Sequence, residues 1–171
     1  MTPSDWIITH CPPVPPGGTA LDVACGNGRH AQFLVDAGWR VTVTDRDVSG
    51  IIDMRDDLEV IKADIETAPW PLSGRQFDLV LVTNYLHRPL WDHLRHSVKP
   101  GGWLLYETFM QGNEVFGRPT SPQFLLRPDE LRDVFADWQI IAFDQGQKIR
   151  QDPPVSSCVI QSITVRKPEL P

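Results

Sequence analysis

The stretch Leu21-Asp22-Val23-Ala24-Cys25-Gly26-Asn27-Gly28-Arg29 decides the fold. Its first half closes a short apolar run, Thr19 to Ala24, that reads as a strand. Gly26 and Gly28 then allow a sharp turn and a close approach of backbone to a ligand. From Arg29 to Ala37 the pattern is helical, and Gly38 stands where a left-handed C-terminal cap belongs. Strand, glycine turn and helix in that order open a parallel α/β unit.

The pattern repeats outward from this unit. Strands are expected at Arg40–Thr44, Leu58–Ala63 and Phe77–Thr83, the last (FDLVLVT) nearly continuous in apolar residues, as in a central strand covered on both faces. A short helix is expected over Asp47–Arg55. Pro89 starts another that runs to about Val98, burying Leu90, Trp91 and Leu94 before Lys99-Pro100-Gly101-Gly102 stops it. Trp103–Phe109 reads as a fifth strand. Residues 111–126 show no periodicity, and a loop of that length in a small domain suits a lid. A helix beginning at Pro128 buries Leu131, Val134 and Phe135. Two strands, Trp138–Phe143 and Cys158–Val165, end the chain as a hairpin joined by residues 145–157. The fold expected is α/β: a Rossmann-like three-layer sandwich on a mostly parallel seven-stranded sheet with one antiparallel C-terminal strand. Residues 1–18 read as a stiff proline-rich leader and 19–171 as the domain.

Composition bounds the function. The chain has 171 residues, enough for one sizeable core. Its formal net charge of −6 argues against nucleic acid as the partner. Three widely spaced cysteines, Cys11, Cys25 and Cys158, do not suggest a disulfide framework. No apolar run is long enough to span a membrane, and the N-terminus lacks a basic-then-apolar signal. A cytoplasmic setting without membrane contact is the expectation.

In open α/β sheets, ligands sit at the carboxyl ends of the strands. There this sequence places Asp22 with the glycine turn, then Asp45, Asp64, and Thr83-Asn84-Tyr85-Leu86-His87. Two cofactors compete for the turn. Gly26-Asn27-Gly28-Arg29-His30-Ala31 also fits a dinucleotide fingerprint, with Asp45 near the place of the ribose acid. Asp22 discriminates between them. A carboxylate just before the turn suits the ammonium and sulfonium of S-adenosylmethionine and sits badly beside a pyrophosphate.

Taken together, Leu21 to Gly28, Asp45, Lys62-Ala63-Asp64, Phe77-Asp78-Leu79-Val80 and Lys99-Pro100-Gly101-Gly102 resemble, in order, the motifs of class I S-adenosylmethionine-dependent methyltransferases. The resemblance covers roughly residues 19–166. The segment Phe124-Leu125-Leu126-Arg127-Pro128-Asp129-Glu130-Leu131, with Phe135 and Trp138, is similar to small bacterial enzymes of the tellurite-resistance (TehB-like) type. Three departures stand out: Ala24 replaces the usual first glycine, the connection 65–76 is too short for the usual helix, and the prolyl motif of many N-methylating enzymes is absent after Asn84-Tyr85.

The resemblance implies that Asp22, Ala24, Gly26, Asn27 and Gly28 hold the methionine end of S-adenosylmethionine. Asp45 and Arg46 would hold the ribose, Asp64 and Ile65 the adenine, with Thr83 and Asn84 on the methyl-transfer side. Alignment and water exclusion dominate such a reaction, so no obligatory triad is expected. His87 is the candidate base, Tyr85 a candidate for contact with the sulfonium, and Arg118 a candidate anchor for an anionic acceptor, helped by Arg88 and Arg127. No metal site is expected, because His93 and His96 share a helix face without a third ligand. The reading is methyl transfer to a small acceptor, anionic in one version. A non-catalytic S-adenosylmethionine-binding protein, an RNA or protein methyltransferase and an NAD-linked oxidoreductase remain as alternatives. The acceptor and the oligomeric state are not written in the sequence.

Overall fold

In the computed structural model of the chain, residues 2–51, 56–150 and 156–169 are described. The strands are β1 (Thr19–Val23), β2 (Arg40–Asp45), β3 (Leu58–Lys62), β4 (Phe77–Thr83), β5 (Val98–Phe109), β6 (Gln139–Arg150) and β7 (Ser156–Arg166). They form one sheet in the order β3-β2-β1-β4-β5-β7-β6. β1 to β5 pair in parallel, and β7 runs antiparallel to both β5 and β6. The reversed strand is therefore inserted between two others, giving the mostly parallel, seven-stranded α/β sandwich expected.

Alternation along the strands sorts the core into two layers. On one face Ala20, Val41, Val43, Leu79, Leu81 and Leu105 pack against α1 (Asp5–His10) and α2 (Arg29–Asp36). On the other, Leu21, Val23, Val80, Val82, Leu104 and Ile163 pack against α3 (Trp91–Ser97) and α4 (Glu130–Val134). Trp70 and Leu72, in the connection between β3 and β4, fill the place of the missing helix on that second face.

Several boundaries differ from expectation, each for a physical reason. The leader is not simply a stiff strap. Ser4 caps α1 by accepting from the Trp6 N–H at 3.2 Å, and Ile7 is fully buried against the sheet. Residues 47–51 form a turn rather than the start of a helix, because Asp47 accepts from the Ser49 N–H; residues 52–55 lie outside the described residues. The helix after β4 opens as a 3-10 turn over Arg88–Leu90. β5 starts at Val98, which pairs with Phe77. The Lys-Pro-Gly-Gly segment is a register shift inside the ladder, fastened by the Lys99–Asp78 ion pair at 2.9 Å. β6 continues to Arg150 although its apolar pattern stops at Phe143, since an edge strand needs only its ladder to β7.

Candidate functional site

The glycine turn is built from three left-handed residues. Ala24 (φ +53°), Gly26 (φ +57°) and Gly28 (φ +76°) take β1 into α2 within a few residues. That conformation costs an L-residue about 1–2 kcal/mol, which explains the preference for glycine at position 24 and marks local strain at the turn. The turn is braced from β2. Asp45 Oδ2 accepts from the Gly26 N–H and Asp45 Oδ1 from the Asp47 N–H, both at 2.9 Å. Each carboxylate oxygen keeps a lone pair for a further donor.

A cleft of about 510 Å³ opens at these strand ends. Ala24, Asp45, Arg46, Asp64, Ile65, Asn84 and Tyr85 line it together, so seven residues singled out in the sequence meet there. Asp64 accepts from the Glu66 N–H at 3.1 Å, and that hydrogen bond holds its carboxyl below the usual range. Ile65 is buried beside it and supplies an apolar wall. The Tyr85 hydroxyl donates to Glu66 Oε1 at 3.1 Å; burial first, and the Glu66 charge second, push its pKa up, so it stays a phenol. Asn84 is held left-handed (φ +53°) by its N–H to the Glu107 carbonyl, and its Oδ1 accepts from Arg150 at 2.7 Å. Pro119 and Phe124 bring the 111–126 loop to the same cleft. That loop is pinned by Asn113, whose Oδ1 accepts from the Val159 N–H and whose amide donates to the Gly117 and Pro119 carbonyls.

Asp22, near the end of β1, is fully buried and does not itself line the cleft. Among the described residues three carboxylates are nearly inaccessible: Asp22, Glu107 and Glu130. Glu107 accepts hydroxyl hydrogens from Ser4 and Ser162, and Glu130 is paired with Arg88. Neither oxygen of Asp22 meets a donor in full hydrogen-bond geometry among the described residues, and the Ala31 N–H acts on the carboxylate only weakly. Desolvation pushes its pKa up to about 7, and the Arg29 charge and the Ala31 amide pull back only part of the way. A buried carboxylate without full compensation is costly, and a positive charge placed against it would offset that cost.

The structure also joins residues that the sequence does not connect. His30 is buried at the start of α2, and its Nε2 accepts from the Ser4 N–H at 3.1 Å. Its Nδ1 therefore carries the proton and donates to Thr83 Oγ1 at 3.1 Å. Burial, helped by the Arg29 charge, lowers the His30 pKa to about 4, so the ring stays neutral. Thr83 is thus fixed by α2, and the N-terminal segment is tied to the same histidine.

The remaining candidates fall elsewhere. Gly28 caps α2, and Asn27 is exposed on the turn. His87 is half-buried at the start of the 3-10 turn, where its side chain makes no cap, and it does not line the cleft. Arg118 is exposed and does not line the cleft either. Arg88 is not a free cation. It makes a two-pronged pair with Glu130 (2.7 and 2.9 Å) and donates to the Gln123 and Leu125 carbonyls, while Arg127 donates to the same carboxylate. These arginines neutralise a buried acid rather than form a cationic mouth. Among the described residues, no group of three histidine, cysteine or acidic side chains could hold a metal, and no helix is long and apolar enough to cross a membrane.

The family profile described as a methyltransferase domain matches residues 20–102, from β1 through the turn before the main part of β5. The chain is 23% identical over 137 residues to a probable S-adenosyl-L-methionine-dependent methyltransferase, TehB, of Haemophilus influenzae, covering 74% of this chain and 48% of that protein. It is 29% identical over 131 residues to the tRNA U34 carboxymethyltransferase of Methylococcus capsulatus, covering 70% and 40%. The chain thus spans less than half the length of these relatives. In fold it is similar to the crystal structure of TehB from Haemophilus influenzae (TM-score 0.72, 18% identity, 95% of this chain and 60% of that one).

Proposed function

Because the chain belongs to the class I S-adenosylmethionine-dependent methyltransferases, of TehB-like type, we propose that it binds S-adenosylmethionine in the cleft beside the glycine turn and transfers the methyl group to a small acceptor. The observation that carries this reading is the fully buried Asp22 carboxylate, whose oxygens meet no donor in full hydrogen-bond geometry among the described residues. A buried carboxylate so placed fits an ammonium and would repel a pyrophosphate, which sets the NAD alternative aside. The left-handed turn fits as well, because Gly26 has no neighbour within 4 Å of where a side chain would stand. When bound, the cofactor supplies a methyl group already activated on a positively charged sulfur.

The chain's own residues then do the holding. Asp22, with the backbone of Ala24, Gly26, Asn27 and Gly28, takes the methionine end, and Asp45 with Arg46 the ribose. Asp64 and Ile65 take the adenine. Thr83, Asn84 and the Tyr85 ring face the transferred group, with Pro119 and Phe124 helping to exclude water. Tyr85 stays protonated, so it offers a ring face and a dipole rather than a base. Unlike Pro119 and Phe124, His87 and Arg118 do not line the cleft, so the reading assigns them no step. The net charge of −6 supports a small acceptor over RNA, and three free cysteines accord with a reducing, cytoplasmic setting. An acceptor screen reading out S-adenosylhomocysteine, over thiols, oxyanions, small carboxylates and bulk RNA, tests the activity. Release above the acceptor-free rate with a small molecule is expected; release with RNA alone would overturn the acceptor class.

A further inference from the structure

A second cavity, of about 380 Å³, lies between residues 2–10, the first residue of α2 and the strands β5, β6 and β7. We propose that it receives the methyl acceptor, and that this acceptor is a small carboxylate bearing a hydroxyl, amine or thiol. Arg150 holds the carboxylate and Glu107 accepts the hydrogen bond of the other group. The inference rests on the cofactor reading above and adds to it the place and chemical class of the acceptor.

Position is the first argument. The cavity and the cofactor cleft share a wall. Asn84 lines the cleft, and its side chain accepts from Arg150, which lines the cavity. Phe109 lines the cleft, and the Arg150 guanidinium lies 4.8 Å above its ring. Glu107 pairs with Thr83 across the β4–β5 ladder, and its carbonyl accepts the Asn84 N–H while its side chain lines the cavity. Arg29, which also lines the cavity, directly follows Gly28. The cavity therefore flanks the segment assigned to the methyl-transfer side, and it does so between the glycine turn and the end of β5.

The second argument is chemical. Lys148 is committed to Asp144 by an ion pair. Among the described residues Arg150 makes one side-chain hydrogen bond, to Asn84, and rests on Phe109, which leaves most of its five donors for a ligand in a fixed orientation. A guanidinium held in that way suits a planar carboxylate. Glu107 is held by the hydroxyls of Ser4 (2.6 Å) and Ser162 (2.8 Å), both donating to it. It faces the cavity as an acceptor and selects a ligand group that carries a hydrogen. A cavity of this size takes a small molecule rather than a polymer segment. Ser4 also closes it, since its N–H is bonded to His30 and its hydroxyl to Glu107.

The test uses the full chain saturated with S-adenosylhomocysteine. Lactate, β-alanine and salicylate, each beside its primary amide, are titrated by saturation-transfer NMR. At least one carboxylate should bind, with its amide roughly tenfold weaker or worse. Arg150→Gln should weaken that carboxylate by roughly tenfold or more, Arg150→Lys should regain part of the loss, and S-adenosylhomocysteine affinity by calorimetry should stay within about threefold in both. Absence of binding by all three carboxylates, or unchanged binding in Arg150→Gln, overturns the proposal. If S-adenosylhomocysteine itself does not bind, the cofactor reading falls, and the same titration on the cofactor-free protein still decides the cavity.

Discussion

Replacing Asp22 with asparagine should make the cofactor-free protein more stable and its cofactor binding worse. The side chain is fully buried, and desolvation raises its pKa from an ordinary 3.8 to about 7. That rise corresponds to about 4 kcal/mol between the two protonation states. The sign follows from linkage: the folded chain holds the proton more tightly than the unfolded chain. Its contribution is therefore fully present below pH 4 and lost as pH climbs to about 7, beyond which the full cost is carried. The asparagine of the variant cannot ionise, but its amide would sit among the same poorly partnered surroundings at a cost of about 1–3 kcal/mol. The net gain at pH 8 is about 1–3 kcal/mol, which for a domain of this size raises Tm by about 2–12 °C. Losing the charge opposite an ammonium should weaken S-adenosylmethionine by roughly 30- to 150-fold. Thermal denaturation of both proteins at pH 5 and pH 8, with calorimetric titration at pH 8, measures all three effects. At pH 5 the stability gain should vanish or reverse, because Asp22 is then protonated. A variant less stable than wild type at pH 8, or a gain equal at both pH values, would refute this assignment of the carboxylate.

Other perturbations separate the cofactor cleft from the scaffold. Asp45→Ala removes two ribose contacts and the brace on the Gly26 N–H, so S-adenosylmethionine affinity should fall by roughly 30- to 150-fold, read by calorimetry; an unchanged Kd would remove Asp45 from the site. Arg88→Ala leaves Glu130 buried without its partner. Because Arg88 is itself about one-third exposed, the loss should be at the low end for such pairs, about 2–3 kcal/mol in urea denaturation, with S-adenosylmethionine affinity intact. If affinity falls instead while stability holds, Arg88 belongs to the binding site. Turnover should survive dialysis against a strong chelator, and a loss restored specifically by zinc or magnesium would expose a site that the described residues do not offer.

How much of the molecule is legible in its sequence follows the reach of each signal. The strand–turn–helix at residues 19–37 and the apolar strand 77–83 are local patterns, and both appear within a residue or two of expectation. The acids at the ends of β1, β2 and β3 are legible because a parallel sheet brings successive strand ends to one edge. Arg88 is misread from sequence because its partner Glu130 is 42 residues away, and no local pattern announces that pairing. Docking of the N-terminal helix is invisible for the same reason, since Ser4 reaches Glu107 across 103 positions and His30 across 26. The far half of β6 has the sequence Asp144-Gln145-Gly146-Gln147-Lys148, which shows no apolar alternation; its strand conformation comes from the ladder to β7 alone. Ala24 and Asn84 show the converse case. Their left-handed backbones break a local preference at the edge of the cleft, where strain is held in place by Gly26, Asp45 and the Glu107 carbonyl.

The most direct test is a calorimetric titration of the purified chain with S-adenosylhomocysteine and, separately, with NAD, each at pH 6 and pH 8. S-adenosylhomocysteine retains the ammonium that Asp22 is assigned to meet. It should bind at both pH values, more tightly at pH 8, and release protons near pH 7 as the Asp22 pKa falls on pairing, while NAD gives no saturable heat. Saturable binding of NAD with none of S-adenosylhomocysteine, or an S-adenosylhomocysteine affinity that does not change with pH, would contradict the placement of a cationic ligand over Asp22.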